Sequence, residues 1–319
     1  MTRATQLRLL GRYCRALGLL HADLPGRAAF RRFERAPPRN ITPKQAAFLA
    51  QARRTDVPFE GETVAAYEWG PAEAPYVYTA YGWGYNAGRW RHFAPQLLDA
   101  GYRVCAFDYL GHGNSTGPGL IYPTLVRLHR AMLARWGRPA RMLCHSFGSG
   151  TAISALTEAG PSMWPERYAL LAPFSDLEYI FRQYARALGF GESHYASLDR
   201  HVRERTGQPI AYFDVSALAT RLGDLPALIA HDPEDAVTAY SNAERLHAHW
   251  PGSLLLPADG AGHGFSDAGH TRAVIDWLVD GTVPATASPY SPELPRLPSR
   301  EAHDGYRSTY FTQAAEELR

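Results

Sequence analysis

Between residues 62 and 280 the chain alternates short apolar runs with amphipathic stretches, and this rhythm constrains the fold more than any other feature. The strand-like "GETVAAYEWG" and "PYVYTAYGWG" precede the helix-like "RWRHFAPQLLDAG", the apolar "YRVCAFDY" and a helical pattern from Thr124 to Trp136. "ARMLCHS", "ERYALLAP", "LPALIAHD" and "GSLLLPAD" continue the strands, with helical patterns after Ser146, at "AYSNAERLHAHW" and at "TRAVIDWLVD". Strands alternating with helices specify an α/β fold, a mostly parallel sheet with helices on both faces. Such sheets bind their ligands at the carboxyl ends of the strands.

Three regions break the rhythm. The first 60 residues hold 12 basic and 4 acidic side chains, whereas the whole chain carries a formal charge of only +2. Leu7, Leu10, Cys14 and Leu17 recur at helical spacing among arginines, which specifies an amphipathic helix. Its apolar face is expected to dock on the body; weak peripheral contact with a membrane surface is the other use open to it. Arg8, Arg12 and Arg15 interrupt the run, so it does not read as a secretory signal, and no stretch is long and apolar enough to span a bilayer.

Residues 174–224 form a long helical insertion, and insertions of that length are usually functional lids. From Pro284 five prolines fall within fifteen residues, ahead of "GYRSTYFTQAAEELR". The expected organisation is a basic helical extension over 1–60, an α/β domain over 61–283 with its insertion at about 174–224, and a Pro-rich strap over 284–319. Three cysteines, Cys14, Cys105 and Cys144, suit neither a disulfide framework nor a zinc site, and a cytoplasmic protein with reduced thiols is the expectation. No ligand cluster implies a metal or organic cofactor, and no basic-aromatic module implies nucleic acid.

The glycine-rich "AYGWGYNAGRW" follows a strand and precedes a helix, with Asp108 twenty residues beyond Gly88. Gly82, Gly84 and Gly88 thus approximate a dinucleotide-binding fingerprint, the mark of an oxidoreductase. The chain's one lysine, Lys44, lies upstream of this loop and cannot supply the Y-x-x-x-K pair that such dehydrogenases use; its place also removes a P-loop. Asp108 moreover opens "DYLGHGNS", which belongs to a different pattern.

"RMLCHSFGSG" has the spacing of a G-x-S-x-G nucleophile elbow, with Cys144 at the first glycine. Together with "YGWG", "DYLGHGNS", "HDPED" and "GAGHG" it makes the chain, over about 62 to 280, resemble the α/β-hydrolase fold family, particularly lysophospholipase-like and monoglyceride-lipase-like serine esterases. The resemblance implies Ser146 as nucleophile, His263 as its base and Asp235 as the acid orienting the base, with Asp232 the rival acid. A serine hydroxyl needs an adjacent base, and the base needs a partner to hold its tautomer. It also implies an oxyanion hole made by the main-chain N–H groups of Trp83 and Phe147. His112, His145, His231 and His270 read as structural or exposed.

Two positions depart from the family pattern: Cys144 replaces the first elbow glycine, and Tyr81 replaces the histidine of H-G-x-x. Cys144 is small enough for the crowded turn and has no electropositive partner to activate it. In the insertion, Leu177, Phe181, Tyr184 and Leu188 share a helix face, which either covers an acyl-binding pocket or simply packs on the core. Tyr81, Phe181, Tyr184 and Phe265 are the expected substrate contacts. The expected partner is a small acyl ester with an apolar acyl chain and the expected activity is its hydrolysis. Thioesterase, acyltransferase and non-catalytic binding roles use the same scaffold.

Overall fold

The computed structural model describes residues 3–35, 41–119 and 121–290. Two helices, α1 (Arg3–Gly18) and α2 (Leu24–Phe33), precede α3 (Pro43–Leu49), which a Thr42–Gln45 capping box starts. The sheet then begins with β1 (Arg53–Phe59), β2 (Glu62–Trp69) and β3 (Tyr76–Ala80), followed by α4 (Ala94–Asp99), β4 (Arg103–Phe107) and α5 (Tyr122–Trp136). Next come β5 (Arg141–His145), α6 (Phe147–Ala159) and β6 (Arg167–Leu171). The insertion supplies α7 (Leu177–Leu188), α8 (Glu192–Thr206) and α9 (Val215–Ala219). The described chain closes with β7 (Ala227–His231), α10 (Ser241–Ala248), β8 (Ser253–Pro257), α11 (Ala268–Asp280) and the short β9 (Ser288–Pro289).

The strands form one sheet in the order β1-β2-β4-β3-β5-β6-β7-β8-β9, parallel from β4 through β8 and antiparallel at both margins. β3, β5 and β7 are buried at every position, as expected of central parallel strands covered on both faces. Because crossovers are right-handed, α4, which leads the chain back from β3 to β4, lies on the face opposite α5 and α6. α11 joins α4, whereas α9 and α10 extend the layer of α6. The carbonyl end of α11 receives Arg141 Nε at Leu278 and Arg167 Nη1 at Val279, pinning the starts of β5 and β6 beneath it.

The connection from β3 turns one way in the sheet and that from β5 the other. A crevice therefore opens at the carboxyl ends of these adjacent strands, where open α/β sheets place their ligands.

One expectation about organisation changes. The sheet starts at Arg53, inside the segment expected to be a helical extension, because "RRTDVPF" pairs in register with β2 from Arg53–Glu68 to Phe59–Glu62. It is an exposed or half-buried edge strand throughout, so its arginines face solvent and mask the alternation. The part of the body on which α1 and α2 pack is the insertion, through helices α7 and α8. Of the expected Pro-rich strap, residues 291–319 lie outside the described residues. No described helix is long and apolar enough to cross a membrane.

Candidate active site

Ser146 ends β5 and starts α6, with φ 49° and ψ −124°. This left-handed backbone is strained for a residue with a Cβ, and such strain persists where the surroundings over-determine it. Its N–H donates to Leu171 O at 2.9 Å, and the turn lifts the hydroxyl off the sheet edge. The loop after β3 passes so close that a Cβ on Gly82 would lie 2.9 Å from Ser146 Cβ and 3.0 Å from His145 Nδ1. Glycine at position 82 is thus required by this approach to the elbow, which accounts for the loop without a nucleotide. Gly88 belongs to the same loop and packs against Gln45.

Ser146 Oγ is 3.1 Å from His263 Nε2, and His263 Nδ1 is 2.8 Å from Asp235 Oδ2. All three side chains are nearly buried, with the serine 5% and the histidine 8% exposed. Burial alone would raise the Asp235 carboxyl. His263 and His231 beside it instead hold it well below the usual carboxylate range, so it is a fixed negative charge. Its other oxygen accepts from the N–H groups of Val237 at 2.7 Å and Thr238 at 3.1 Å. Asp232 turns elsewhere: it accepts from Glu234 N and, at 2.6 Å, from Gly262 N, tying the two loops together without touching the His263 ring.

The loop carrying His263 is fastened at two carbonyls. His145 Nε2 lies 2.8 Å from His263 O, and Arg89 Nη2 donates to Gly264 O at 3.0 Å. Burial holds His145 well below its ordinary value, so it is a neutral ring donating from Nε2, and burial lowers Arg89 to about 10. Neither residue figured in the sequence reading as a support for the histidine. An arginine twenty positions after β2 carries no local signal that it will be buried under a distant loop.

Among the described residues no acceptor takes up the main-chain N–H of Trp83 or of Phe147. The neighbouring Gly84 N–H is occupied, donating to His112 Nε2 at 3.0 Å, while His112 Nδ1 bonds Leu110 O. His112 thus braces the loop that carries Trp83. Tyr81 braces it from below. Its hydroxyl donates to Asp108 Oδ1 at 3.2 Å and accepts from Tyr109 N at 2.8 Å, and its carbonyl accepts from Tyr109 Oη. Asp108 is fully buried and also receives Tyr67 Oη, Ala87 N and Asn114 N. Its oxygens are therefore committed to holding the loop rather than to a ribose.

Of the four side chains expected at the substrate, Phe181 lines a cavity above the elbow and the other three do not. Tyr81 is consumed by the Asp108 network. Tyr184 points at α2, donating to Ala29 O at 3.0 Å. Phe265 is buried two residues past His263 with φ 47° and does not line that cavity. Cys144 is fully buried on β5 and burial pushes its thiol up to about 12, which leaves it protonated and inert at neutral pH. Among the described residues no group of three or more His, Cys, Asp or Glu side chains could hold a metal ion.

Family models described as "Serine aminopeptidase, S33" and "TAP-like protein" match residues 73–198 and 209–289, which together cover the sheet from β3 onward and most of the insertion. The chain belongs to the α/β-hydrolase family. Within it, this hydrolase-fold chain is 33% identical over 99 residues to a serine hydrolase-like protein of Dictyostelium discoideum, covering 29% of the chain and 27% of that protein. It is 43% identical over 61 residues to epoxide hydrolase A of Mycobacterium tuberculosis, covering 19% of each. The matched stretches thus span about a quarter or less of these relatives' own lengths. An esterase structure from Exiguobacterium antarcticum superposes with a TM-score of 0.55 at 18% identity, over 71% of this chain and 99% of that one. That likeness is one of fold.

Proposed function

We propose that the chain is a serine hydrolase that cleaves carboxylic esters bearing an apolar acyl group. The observation that carries this reading is the unbroken relay from Ser146 Oγ through His263 to Asp235, at 3.1 and 2.8 Å, on a strained elbow at the carboxyl edge of the sheet. In this reading Ser146 Oγ attacks the ester carbonyl while His263 Nε2 takes its proton. The negative charge that develops on the carbonyl oxygen is met by the N–H groups of Trp83 and Phe147, which are otherwise without acceptors. Collapse of the tetrahedral intermediate breaks the carbon–oxygen bond, and the imidazolium protonates the leaving alcohol. Water, deprotonated by the same histidine, then attacks the acyl-enzyme and releases the acid. Asp235 keeps Nδ1 protonated and stabilises the imidazolium in both halves.

Three features support the ester preference. The cavity beside Trp83 and Phe147 is lined by no charged residue. The helices over it form a cover that shields the acyl-enzyme from stray nucleophiles, the role proposed here for the insertion as a lid. An esterase lies among the structural neighbours. The test is hydrolysis of p-nitrophenyl esters from acetyl to palmitoyl by the protein and by Ser146→Ala. Turnover that disappears in the variant supports the reading; turnover that survives, or none in either protein across the series, defeats it.

A further inference from the structure

One helix before the sheet, α2, lines the cavity beside Trp83 and Phe147. α2 brings Phe30 and Phe33 to the cavity above the elbow, opposite Trp83 and Phe147, while α7 contributes Phe181 and α8 Val202. The atom-free space between them is about 350 Å³ including its open mouth. Phe33 is half-buried in its lining. Its ring stacks on Trp83 at 5.9 Å, lies 4.5 Å from Phe181 and 5.2 Å from Tyr184, and has Phe30 at 6.5 Å behind it. The aromatic stack therefore bridges from the N-terminal segment, across the insertion, to the loop carrying an oxyanion N–H.

The segment is held there by specific bonds rather than by loose apolar contact. Arg15 Nη1 donates to Leu188 O at 2.7 Å and Gly189 O at 2.9 Å, satisfying carbonyls at the end of α7. Gly26 N donates to Ser197 Oγ at 2.9 Å, and a Cβ at position 26 would lie 2.2 Å from Ser197 O, so only glycine lets α2 approach α8 this closely. Arg200 Nε bonds Asp23 at 2.8 Å, and Tyr184 reaches Ala29 O. α1, α2, α7 and α8 form one cap built from two distant parts of the chain.

We propose that α2 is the outer wall of the acyl-binding pocket and that Phe33 sets the longest acyl chain the pocket admits. This rests on the serine-hydrolase reading for its substrate, but the wall itself is a matter of packing. With Phe33 in place the space beyond Trp83 is filled, and the pocket takes a short aliphatic acyl group. Truncating the Phe33 benzyl group to a methyl opens room toward α7 and α8 for further methylenes. Each methylene newly accommodated in an apolar pocket changes kcat/KM by about tenfold or more.

The experiment compares kcat/KM for p-nitrophenyl dodecanoate and butyrate in the full chain, in Phe33→Ala and in Leu20→Ala, whose side chain is exposed at the far end of the cap. Phe33→Ala should raise the dodecanoate-to-butyrate ratio at least about tenfold, while Leu20→Ala leaves it unchanged. A ratio that stays within twofold of wild type in Phe33→Ala overturns the inference, whatever happens to overall rate. Should Phe33→Ala not unfold cooperatively, Phe33→Leu replaces it, with a threefold rise expected and an unchanged ratio equally fatal. Calorimetric titration of dodecanoate and butyrate into Ser146→Ala, with and without Phe33→Ala, separates the two readings. If no variant hydrolyses any ester, the serine-hydrolase reading falls, and selective tightening of dodecanoate by Phe33→Ala still upholds the pocket wall. Absence of that tightening sinks the wall as well.

Discussion

His145 Nε2 meets the main-chain oxygen of His263 at 2.8 Å, so the residue just before the proposed nucleophile holds the backbone of the proposed base 118 positions away. The two rings lie 4.8 Å apart. Because burial keeps His145 neutral, this bond fixes its tautomer and with it the height of the His263 loop over Ser146. His145→Ala should lower kcat by about 10- to 100-fold with little change in KM, the consequence of a displaced base rather than a damaged pocket. His145→Gln, which can still donate to the carbonyl, should recover part of the loss. Steady-state kinetics on both variants decide the matter; a defect confined to KM would count against a positioning role.

Asp235 and Asp232 make an internal comparison. Asp235→Asn removes the charge that stabilises the imidazolium and can invert the tautomer, so kcat should fall by roughly 10⁴-fold. Asp232→Asn retains an oxygen for the Gly262 N–H and should cost less than about tenfold, through the loop alone. Equal losses in the two variants would show that proximity to His263 is not what distinguishes the acids.

The order of elements from β2 to α11 was legible because buried parallel strands carry continuous apolar runs, and the elbow, acid and histidine loops follow such runs directly. β1 was not, since "RRTDVPF" is an edge strand whose charges point to water, and locally it looks like more of the basic extension. Likewise the periodicity of α1 announces a buried face but not its partner; that Arg15 would seek the carbonyls of Leu188 and Gly189 depends on a contact 173 residues away. Tyr81 illustrates the same limit within the site. An aromatic beside the proposed nucleophile looks like a pocket wall, and only the fold brings Asp108 and Tyr109 to claim its hydroxyl. Motif spacing reports what a turn must do, whereas side-chain destinations are set by long-range packing.

Stability should fall as the medium is acidified from neutrality. Burial holds His129, bonded to Tyr78 and Thr151, down to about 3, against about 6.5 when unfolded. Between these values the unfolded chain binds a proton that the folded chain refuses, so stability rises with pH and is lost as pH falls from about 6.5 toward 3. For this histidine the loss over the whole window is on the order of 5 kcal/mol. His145 acts in the same direction, and the depressed Asp235 carboxyl adds to the loss below about 4. Thermal midpoints at pH 7 and 5 should therefore differ less in His129→Gln, which keeps hydrogen-bonding groups without the titration, than in wild type. Parallel declines in the two proteins would exclude His129 as a source.

Cys144 sits two residues from the proposed nucleophile and invites the alternative that the thiol does the chemistry. The structure argues against it on two grounds: the thiol is fully buried, with burial pushing it up to about 12, and it lies on the β5 strand before the turn. Thiolate is the reactive form, so at pH 8 the reactive fraction is on the order of 10⁻⁴. Native protein should accordingly resist iodoacetamide at Cys144, and Cys144→Ala should keep esterase activity within about threefold, while a fluorophosphonate labels wild type and Cys144→Ala but not Ser146→Ala. Cys144→Gly, which restores the motif's usual residue, should be less stable than Cys144→Ala by about 1 kcal/mol, because glycine in a fully paired strand surrenders more backbone entropy. Rapid alkylation of the native thiol with parallel loss of turnover would transfer the nucleophile's role from Ser146 to Cys144.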